Sequence, residues 1–135
     1  MNTWGKKSLN LINKKGFNSL LKEFLIFIEK KLPFECSVTD TVRTSEEQAI
    51  HFKNGASKCD GYKIKSKHQS GNAFDIIPSK NKWNSTNEEF NQLSNVIKKE
   101  FLNFEPAKLQ GFKIEWGGDW KNFIDKPHWE LRTKK

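Results

Sequence analysis

The chain carries the segment Ser66-Lys67-His68-Gln69-Ser70-Gly71-Asn72-Ala73-Phe74-Asp75, in which a histidine in a glycine-containing loop leads into a short apolar run. Residues 73–77 predict a strand that ends near Pro78. Its period of two places Phe74 and Asp75 on opposite faces. A carboxylate in such an apolar strand needs a strong partner, because an unpaired buried charge costs several kcal/mol. A metal ion and a buried arginine are both candidate partners.

A second candidate segment reads Asp125-Lys126-Pro127-His128-Trp129-Glu130-Leu131, and residues 128–131 predict another strand. Pro127 fixes the direction of the backbone just before His128. Two histidines and an aspartate suit a catalytic zinc site, which uses three protein ligands and leaves a fourth position for water. Zinc lowers the pKa of that water to about 7. A base must still take its proton, and Asp125 is suitably close to His128 in sequence.

Each of these residues also has a plainer interpretation. A lone histidine is more often a surface or core residue than a ligand, and spacing alone leaves this open for His68 and His128. His51 falls on a predicted helix outside any motif, so we assign it no role. Cys36 and Cys59 are expected to be reduced thiols, because no secretory signal precedes them, although a disulfide between them stays open.

Helices and short strands alternate along the rest of the chain. The predicted helices are residues 17–32, a short helix that follows a capping box at Thr44–Glu47, and a third that ends near residue 103. The predicted strands are residues 36–43, 73–77, 112–116 and 128–131. We therefore expect an α+β fold with a small antiparallel sheet and helices packed on one side. The long loop at residues 56–72 is expected to be functional, and its regulation by a second ion such as calcium stays open.

The composition limits the chain to one basic domain. It has 135 residues with 24 Lys plus Arg against 16 Asp plus Glu, a formal net charge of +8. We expect a single domain over residues 1–135, attracted to a polyanion such as nucleic acid, anionic lipid or a bacterial wall. No apolar run is long enough for a transmembrane helix. No apolar signal region lies near Met1, so we expect synthesis in the cytoplasm without a Sec signal.

The segments around His68 and His128 resemble the motifs of a known family. The pattern Ser66-x-His68-x-x-Gly71-x-Ala73-x-Asp75, followed by Asp125-x-Pro127-His128-Trp129-Glu130, is similar to the signature of zinc D-Ala-D-Ala carboxypeptidases. That family includes vancomycin-resistance peptidases of the VanY type and bacteriophage L-alanyl-D-glutamate endolysins. Two further blocks, residues 41–48 and residues 116–120, resemble the family in the same order. The resemblance covers roughly residues 35–131.

The resemblance implies a role for each matched residue. His68, Asp75 and His128 would bind zinc, and Asp125 would be the catalytic base. Arg43 would bind or polarise the substrate near the scissile bond, although a plain surface salt bridge stays open for it. The fold would be like that of the hedgehog signalling domain and the D-Ala-D-Ala peptidases.

The implied function is hydrolysis of peptidoglycan stem peptides by a phage endolysin. Cleavage between L-Ala and D-Glu is the first expectation, and removal of a terminal D-Ala is the alternative. A non-catalytic, zinc-containing module that binds the cell wall is a further alternative. We expect peptidoglycan as the partner, no nucleic acid, a monomer, and action on the wall after release through a holin pore.

Overall fold

The computed structural model describes residues 2–133. The helices are α1 Lys6–Ile12, α2 Ser19–Ile28, α3 Ser45–Lys53, α4 Asn87–Leu102 and α5 Glu105–Gln110. The strands are β1 Cys36–Asp40, β2 Ala73–Pro78, β3 Phe112–Trp116 and β4 His128–Thr133. Short 3₁₀ helices lie at Lys82–Asn84 and Gly117–Asp119. The four strands form one antiparallel sheet in the order β1-β2-β4-β3. The predicted α+β class is confirmed.

One face of the sheet packs against helices and forms the core. Phe74 of β2 stacks on Trp129 of β4 with ring centroids 6.5 Å apart, and Trp116 of β3 stacks on the same indole at 5.8 Å. Phe24 of α2 meets Phe101 of α4 edge to face at 4.9 Å. These large side chains are almost completely removed from water, which is the main stabilising contribution to a domain of this size.

The opposite face of β2 and β4 carries polar side chains. Asp75 lies directly across the ladder from His128, and Ala73 lies across from Glu130. Because side chains alternate along a strand, Asp75, His128 and Glu130 all point away from the aromatic core. One face of the sheet therefore packs into the core, and the other face carries the polar groups.

Local capping explains where two of the helices begin. The predicted capping box at Thr44 and Glu47 forms, with each side chain bonded to the other residue's backbone N–H. Two overlapping boxes were possible at residues 85–89, and the one that forms joins Thr86 and Glu89. These caps satisfy N–H groups that a helix leaves without partners in its first turn.

Several predicted boundaries were wrong. The helix predicted at residues 17–32 begins at Ser19, capped by the Asn18 side chain, and ends at Ile28. The strand predicted at residues 36–43 ends at Asp40, because the pairing with β2 shifts register after Val38. Helices α1 and α5 were missed, since each is short and buries few apolar side chains. Over residues 2–133 no helix combines the length and the apolarity needed to cross a bilayer.

Candidate metal centre

Three side chains converge on the polar face of the sheet. His68 Nε2 lies 3.1 Å from Asp75 Oδ1 and 3.2 Å from His128 Nδ1. The third side of the triangle, from His128 Nδ1 to Asp75 Oδ1, is 3.3 Å. Asp75 and His128 come from neighbouring strands, whereas His68 comes from the loop before β2. Within residues 2–133 these three form a group of ligand atoms close enough to hold one metal ion.

The triangle has the dimensions of a tetrahedral zinc site. Zinc binds histidine nitrogen and carboxylate oxygen at about 2.0–2.1 Å, which places neighbouring ligands of a tetrahedron about 3.3–3.4 Å apart. The three observed separations lie within a few tenths of an ångström of that spacing. Two imidazoles and one carboxylate, with a fourth position left for water, are also the ligand types of catalytic zinc.

The outer nitrogen of each histidine has an acceptor. His68 Nδ1 lies 2.7 Å from the Thr41 carbonyl oxygen, and His128 Nε2 lies 2.8 Å from Glu130 Oε1. In a neutral imidazole the outer N–H donates to that acceptor, so the inner nitrogen presents a lone pair. Two lone pairs and a carboxylate oxygen then face one another, an arrangement that a cation stabilises. Such outer acceptors are typical of histidines that bind zinc.

In the absence of a metal ion, nearby charges and hydrogen bonds shift the pKa values of His128 and Asp75. Burial lowers the pKa of His128, but hydrogen bonds with Asp75 and Glu130 outweigh it and raise the pKa to about 9. Burial raises the pKa of Asp75, but the histidines, by charge and hydrogen bonding, lower it well below its ordinary value. The site therefore attracts positive charge, and a divalent ion must displace a proton from it at neutral pH.

Glu130 is a functional residue to which the sequence motif assigned no role. Its Oε1 accepts from His128, and its Oε2 accepts from Arg132 Nε at 2.6 Å. The Glu130 side chain keeps only 5% of its surface exposed, so Arg132 compensates a nearly buried charge. The signal that could have found Glu130 is its spacing, because residues two apart on a strand share a face.

Arg43 lies beside the three candidate ligands but is largely occupied by protein acceptors. Its Nε donates to Asp40 Oδ2, one terminal nitrogen donates to Gln48 Oε1 at 2.9 Å, and the other contacts Asp75 Oδ2 at 3.4 Å. Since a guanidinium has five N–H donors, two remain for a substrate. By holding one oxygen of Asp75, Arg43 also helps to turn the other oxygen toward the histidines.

Gln48 connects α3 to the long loop and to Arg43. The side chain is completely buried, and its oxygen accepts from both Arg43 and Ser66. Its amide nitrogen donates to Ser57 Oγ and to the Cys59 carbonyl, each at 2.9 Å. All four hydrogen-bonding positions of this amide are used, so the loop beside the site is fixed to a helix. No pattern in the sequence indicates these partners.

Asp125 lies in the loop between the second 3₁₀ helix and β4 and lines the same cleft as the three ligands. Burial and the nearby charge of Asp75 raise the pKa of Asp125 from its ordinary value to about 6. Across residues 2–133 its carboxylate has no hydrogen-bond donor. A carboxylate with a raised pKa and a free oxygen is suited to take a proton from water.

The cleft above these residues has a volume of about 470 Å³ and a mixed lining. Three lysines of the long loop, Lys58, Lys65 and Lys67, line it together with the aromatic side chains of Trp83, Trp120 and Phe123. Basic and aromatic groups meet where Lys58 Nζ lies 5.8 Å from the Phe123 ring centroid. A cleft of this size can bury a substrate fragment of several residues.

The tryptophans near the candidate site divide between the core and the cleft. Trp116 and Trp129 belong to the core. Trp120 lines the cleft and lies 5.2 Å from the His128 ring. His51 also lines the cleft, without a contact to the three ligands.

The structure thus gathers the five predicted site residues in one place. His68, Asp75 and His128 form the triangle, and Arg43 and Asp125 line the cleft around it. Their roles as ligands, base and substrate-binding residue stay predictions. Cys36 and Cys59 both carry free thiols.

Comparisons with known proteins identify the family. Residues 60–131, more than half of the chain, match the family model described as D-alanyl-D-alanine carboxypeptidase, of the M15 peptidases, and the chain belongs to that family. This confirms the resemblance inferred from the motifs. An L-alanyl-D-glutamate peptidase of Listeria phage A118 is 32% identical over 103 residues, covering 74% of this chain. The chain spans only 31% of the length of that relative.

A solved structure supports the fold independently. The crystal structure of the L-Ala D-Glu endopeptidase ChiX of Serratia marcescens matches with a TM-score of 0.71 at 21% identity. The match covers 98% of this chain and 90% of that chain. At this level of identity the likeness shows that the fold is shared.

Proposed function

We propose that this protein is a zinc peptidase that hydrolyses peptidoglycan stem peptides between L-Ala and D-Glu. The observation that carries the proposal is the triangle of His68, Asp75 and His128 with zinc-like spacing, with Asp125 and Arg43 in the same cleft. Family membership supports the reaction class, because the matched family is one of peptidases.

The chain's own residues divide the chemistry between them. A zinc ion held by the three ligand atoms would supply a Lewis acid and lower the pKa of a water molecule to about 7. Asp125 takes the proton of the attacking water and returns it to the leaving amine. Arg43 lines the cleft, and its two remaining N–H donors would stabilise the developing negative charge on the peptide carbonyl oxygen.

The names of similar proteins and the positive charge of the cleft both favour cleavage between L-Ala and D-Glu. The phage relative and the structural neighbour both have names that state an L-alanyl-D-glutamate specificity. The stem peptide carries carboxylates on its D-Glu and on later residues, and the lysines that line the cleft complement them. A phage endolysin acting on the bacterial wall fits these properties. Holin release, a monomeric state and a single domain stay predictions.

Removal of a terminal D-Ala is the second candidate, because the matched family is described by that activity. Digestion of purified peptidoglycan, followed by mass spectrometry of the new ends, separates the two reactions. New amino termini on D-Glu support the endopeptidase, and free D-Ala supports the carboxypeptidase. A protein that binds zinc but releases neither product would be the non-catalytic wall-binding module.

Matched variants test the base in the same digestion. Asp125→Asn should reduce hydrolysis by at least about 100-fold, because a general base contributes roughly 10²–10⁴ to the rate. Asp119→Asn is the control, since Asp119 has an exposed side chain paired with Lys98 outside the cleft. Full activity in Asp125→Asn would exclude Asp125 as the base.

Metal content tests the ligands separately from activity. His68→Ala should lose stoichiometric zinc in elemental analysis after dialysis, because two remaining ligands bind the ion weakly. His51→Ala should keep its zinc, since His51 makes no contact with the triangle. If both variants retained one zinc per chain, the metal would lie elsewhere.

A further inference from the structure

We propose that a second groove, joined to the catalytic cleft at Trp83, binds the glycan strand of peptidoglycan, with the Trp83 indole stacked on a sugar ring. The inference rests on the proposed function and extends it from the peptide to the carbohydrate. We call this surface the β1 groove. It runs along β1 and the start of α1 to the turn after β2, and its lining includes Lys6, Lys7, Ser37, Ser79, Lys82 and Trp83.

Substrate chemistry requires a sugar near the scissile bond. In peptidoglycan the L-Ala of the stem peptide is attached directly to the lactyl group of a muramic acid. One residue spans at most about 3.6 Å. Only the L-Ala and the lactyl group separate the sugar from the scissile bond, so the sugar of a bound substrate lies close to the candidate metal ligands. An enzyme that cuts this bond in the intact wall must therefore accommodate the glycan at the rim of its cleft.

Trp83 occupies the boundary between the two cavities. It lines the catalytic cleft together with His68 and His128, and it also lines the β1 groove. Its side chain is 66% exposed, which is high for the largest apolar side chain. An indole held in water at the junction of two grooves presents a flat face to a ligand that runs from one groove into the other.

The turn that carries Trp83 is held by its neighbours. Within the 3₁₀ helix Lys82–Asn84, the Asn84 N–H donates to the Asn81 carbonyl at 2.9 Å. Ser85 Oγ donates to the Lys82 carbonyl at 2.6 Å, and the Asn81 amide donates to Glu89 of α4 at 3.2 Å. These bonds hold the backbone of the turn, and with it the position of Trp83 between the two grooves.

The lining of the β1 groove suits a carbohydrate. The groove holds about 570 Å³, within the range of small-ligand sites. Ser37 and Ser79 pair through their hydroxyls at 2.7 Å, and this pair retains one hydrogen and several lone pairs for a ligand. Sugar hydroxyls and N-acetyl amides need such short donors and acceptors. The apolar face of a pyranose ring needs an aromatic plane, which Trp83 supplies.

Because lysines also line the β1 groove, an anionic wall polymer such as teichoic acid is a competing candidate ligand. Ionic strength separates the two, because exposed charge pairs are screened by salt whereas stacking on an indole is not. A neutral glycan held by Trp83 should therefore bind equally well at low and at high salt.

Two substrates that differ only in the sugar test the proposal. Trp83→Ala should lower kcat/KM about fivefold on a stem peptide that keeps its disaccharide, since a stacked aromatic pair contributes about 1 kcal/mol. The same variant should lose clearly less on the identical peptide without sugar, where only the contribution of Trp83 to the catalytic cleft is removed. Trp83→Phe should fall in between, and Tyr62→Ala is the control, because Tyr62 is 60% exposed but lines neither groove.

Other outcomes would overturn the proposal. An equal loss on both substrates would mean that Trp83 shapes the peptide cleft or the fold, and no loss on either would remove it from substrate binding. Calorimetric binding of a neutral N-acetylglucosamine oligomer to Asp125→Asn, with and without Trp83→Ala, tests the groove independently of hydrolysis. Binding that vanishes between about 0.01 M and about 1 M salt would assign the groove to a polyanion. If the wild type cut no peptidoglycan but still bound glycan through Trp83, only the proposed reaction would fail.

Discussion

Asp125 combines a cost to the fold with a benefit to the proposed chemistry. The pKa of this carboxyl is raised to about 6 because burial and the charge of Asp75 both disfavour its ionised form. A raised pKa favours proton transfer near neutral pH. The same environment means that the folded chain holds an unfavourable charge whenever Asp125 is ionised.

That cost predicts how Asp125→Asn changes stability in the metal-free protein. The pKa of Asp125 is about 6 in the folded protein, above the ordinary value of 3.8. The stabilisation that the protonated carboxyl group provides is therefore fully present below pH 3.8, and it is lost as the pH rises through about 6. At pH 7 the variant should therefore gain about 2–3 kcal/mol in the free energy of unfolding. Urea denaturation in a chelator should show this gain at pH 7 and almost none near pH 4. A variant less stable than wild type at both pH values would contradict it.

The ligands of the candidate site were predictable from the sequence, but their supporting contacts were not. His68, Asp75 and His128 stand in motifs whose order alone points to them. The Thr41 carbonyl that orients His68 lies 27 positions earlier in the chain. A backbone carbonyl has no residue-type signature, and its position depends on how β1 ends against the loop. Only the three-dimensional structure therefore shows which nitrogen of each histidine faces the metal position.

The connection between β3 and β4 shows how an element positions a reactive residue. The Gly117 carbonyl accepts from the Asp125 N–H at 3.0 Å, and a Cβ on Gly117 would overlap the Asp125 carbonyl. A Cβ on Gly118 would overlap the Trp116 ring. The Trp-Gly-Gly segment therefore needs glycine because two parts of the chain approach too closely for any side chain.

Gly117→Ala should damage activity far more than metal binding. The added methyl group must displace Asp125, whose carbonyl it would overlap, and a shift of about 1 Å in a catalytic group can cost about 100-fold in rate. Zinc content should fall much less, because only the backbone N–H of His128 contacts that carbonyl and the three ligand side chains lie on β2, β4 and the loop before β2. Gly5→Ala is the matched control, since a Cβ there meets no atom within 4 Å. Unchanged hydrolysis in Gly117→Ala would show that this contact does not position the base.

Regular elements were more predictable than the loop between them. Helix α4 has a clear apolar stripe and a capping box, and its position agreed with the sequence pattern to within a few residues. The loop at residues 56–72 has no such period. Its turn depends on the Asp60 carboxylate, which accepts from the backbone N–H groups of Tyr62, Lys63 and Ile64. Local bonds of this kind compete with secondary structure and leave no periodic signal.

Part of the positive charge of the molecule lies at the cleft. The net charge of +8 gave no indication of which polyanion the protein meets. Lys58, Lys65 and Lys67 all line the cleft, and none forms an ion pair with another residue in the range 2–133, although Lys58 lies over the Phe123 ring. Unpaired ammonium groups around a concave surface concentrate anionic substrates there.

Hydrolysis of the wall should therefore depend on ionic strength. We expect kcat/KM on peptidoglycan to fall several-fold between about 0.01 M and about 1 M salt, because screening weakens attraction between exposed charges. The triple variant Lys58→Gln, Lys65→Gln, Lys67→Gln should be slower at low salt and should depend less on salt. Lys108→Gln, on another surface, should keep the wild-type slope. Identical slopes for both variants would place the attraction outside the cleft.

The cross-strand pair of Asp75 and His128 also has a consequence for folding kinetics. These residues are separated by 53 positions, so β2 and β4 must find each other over a long chain segment. A slip of one residue would turn one of the two side chains toward the aromatic core and abolish the triangle. A metal ion can therefore bind only after the strands have paired correctly, and its binding energy selects the native alignment against slipped ones.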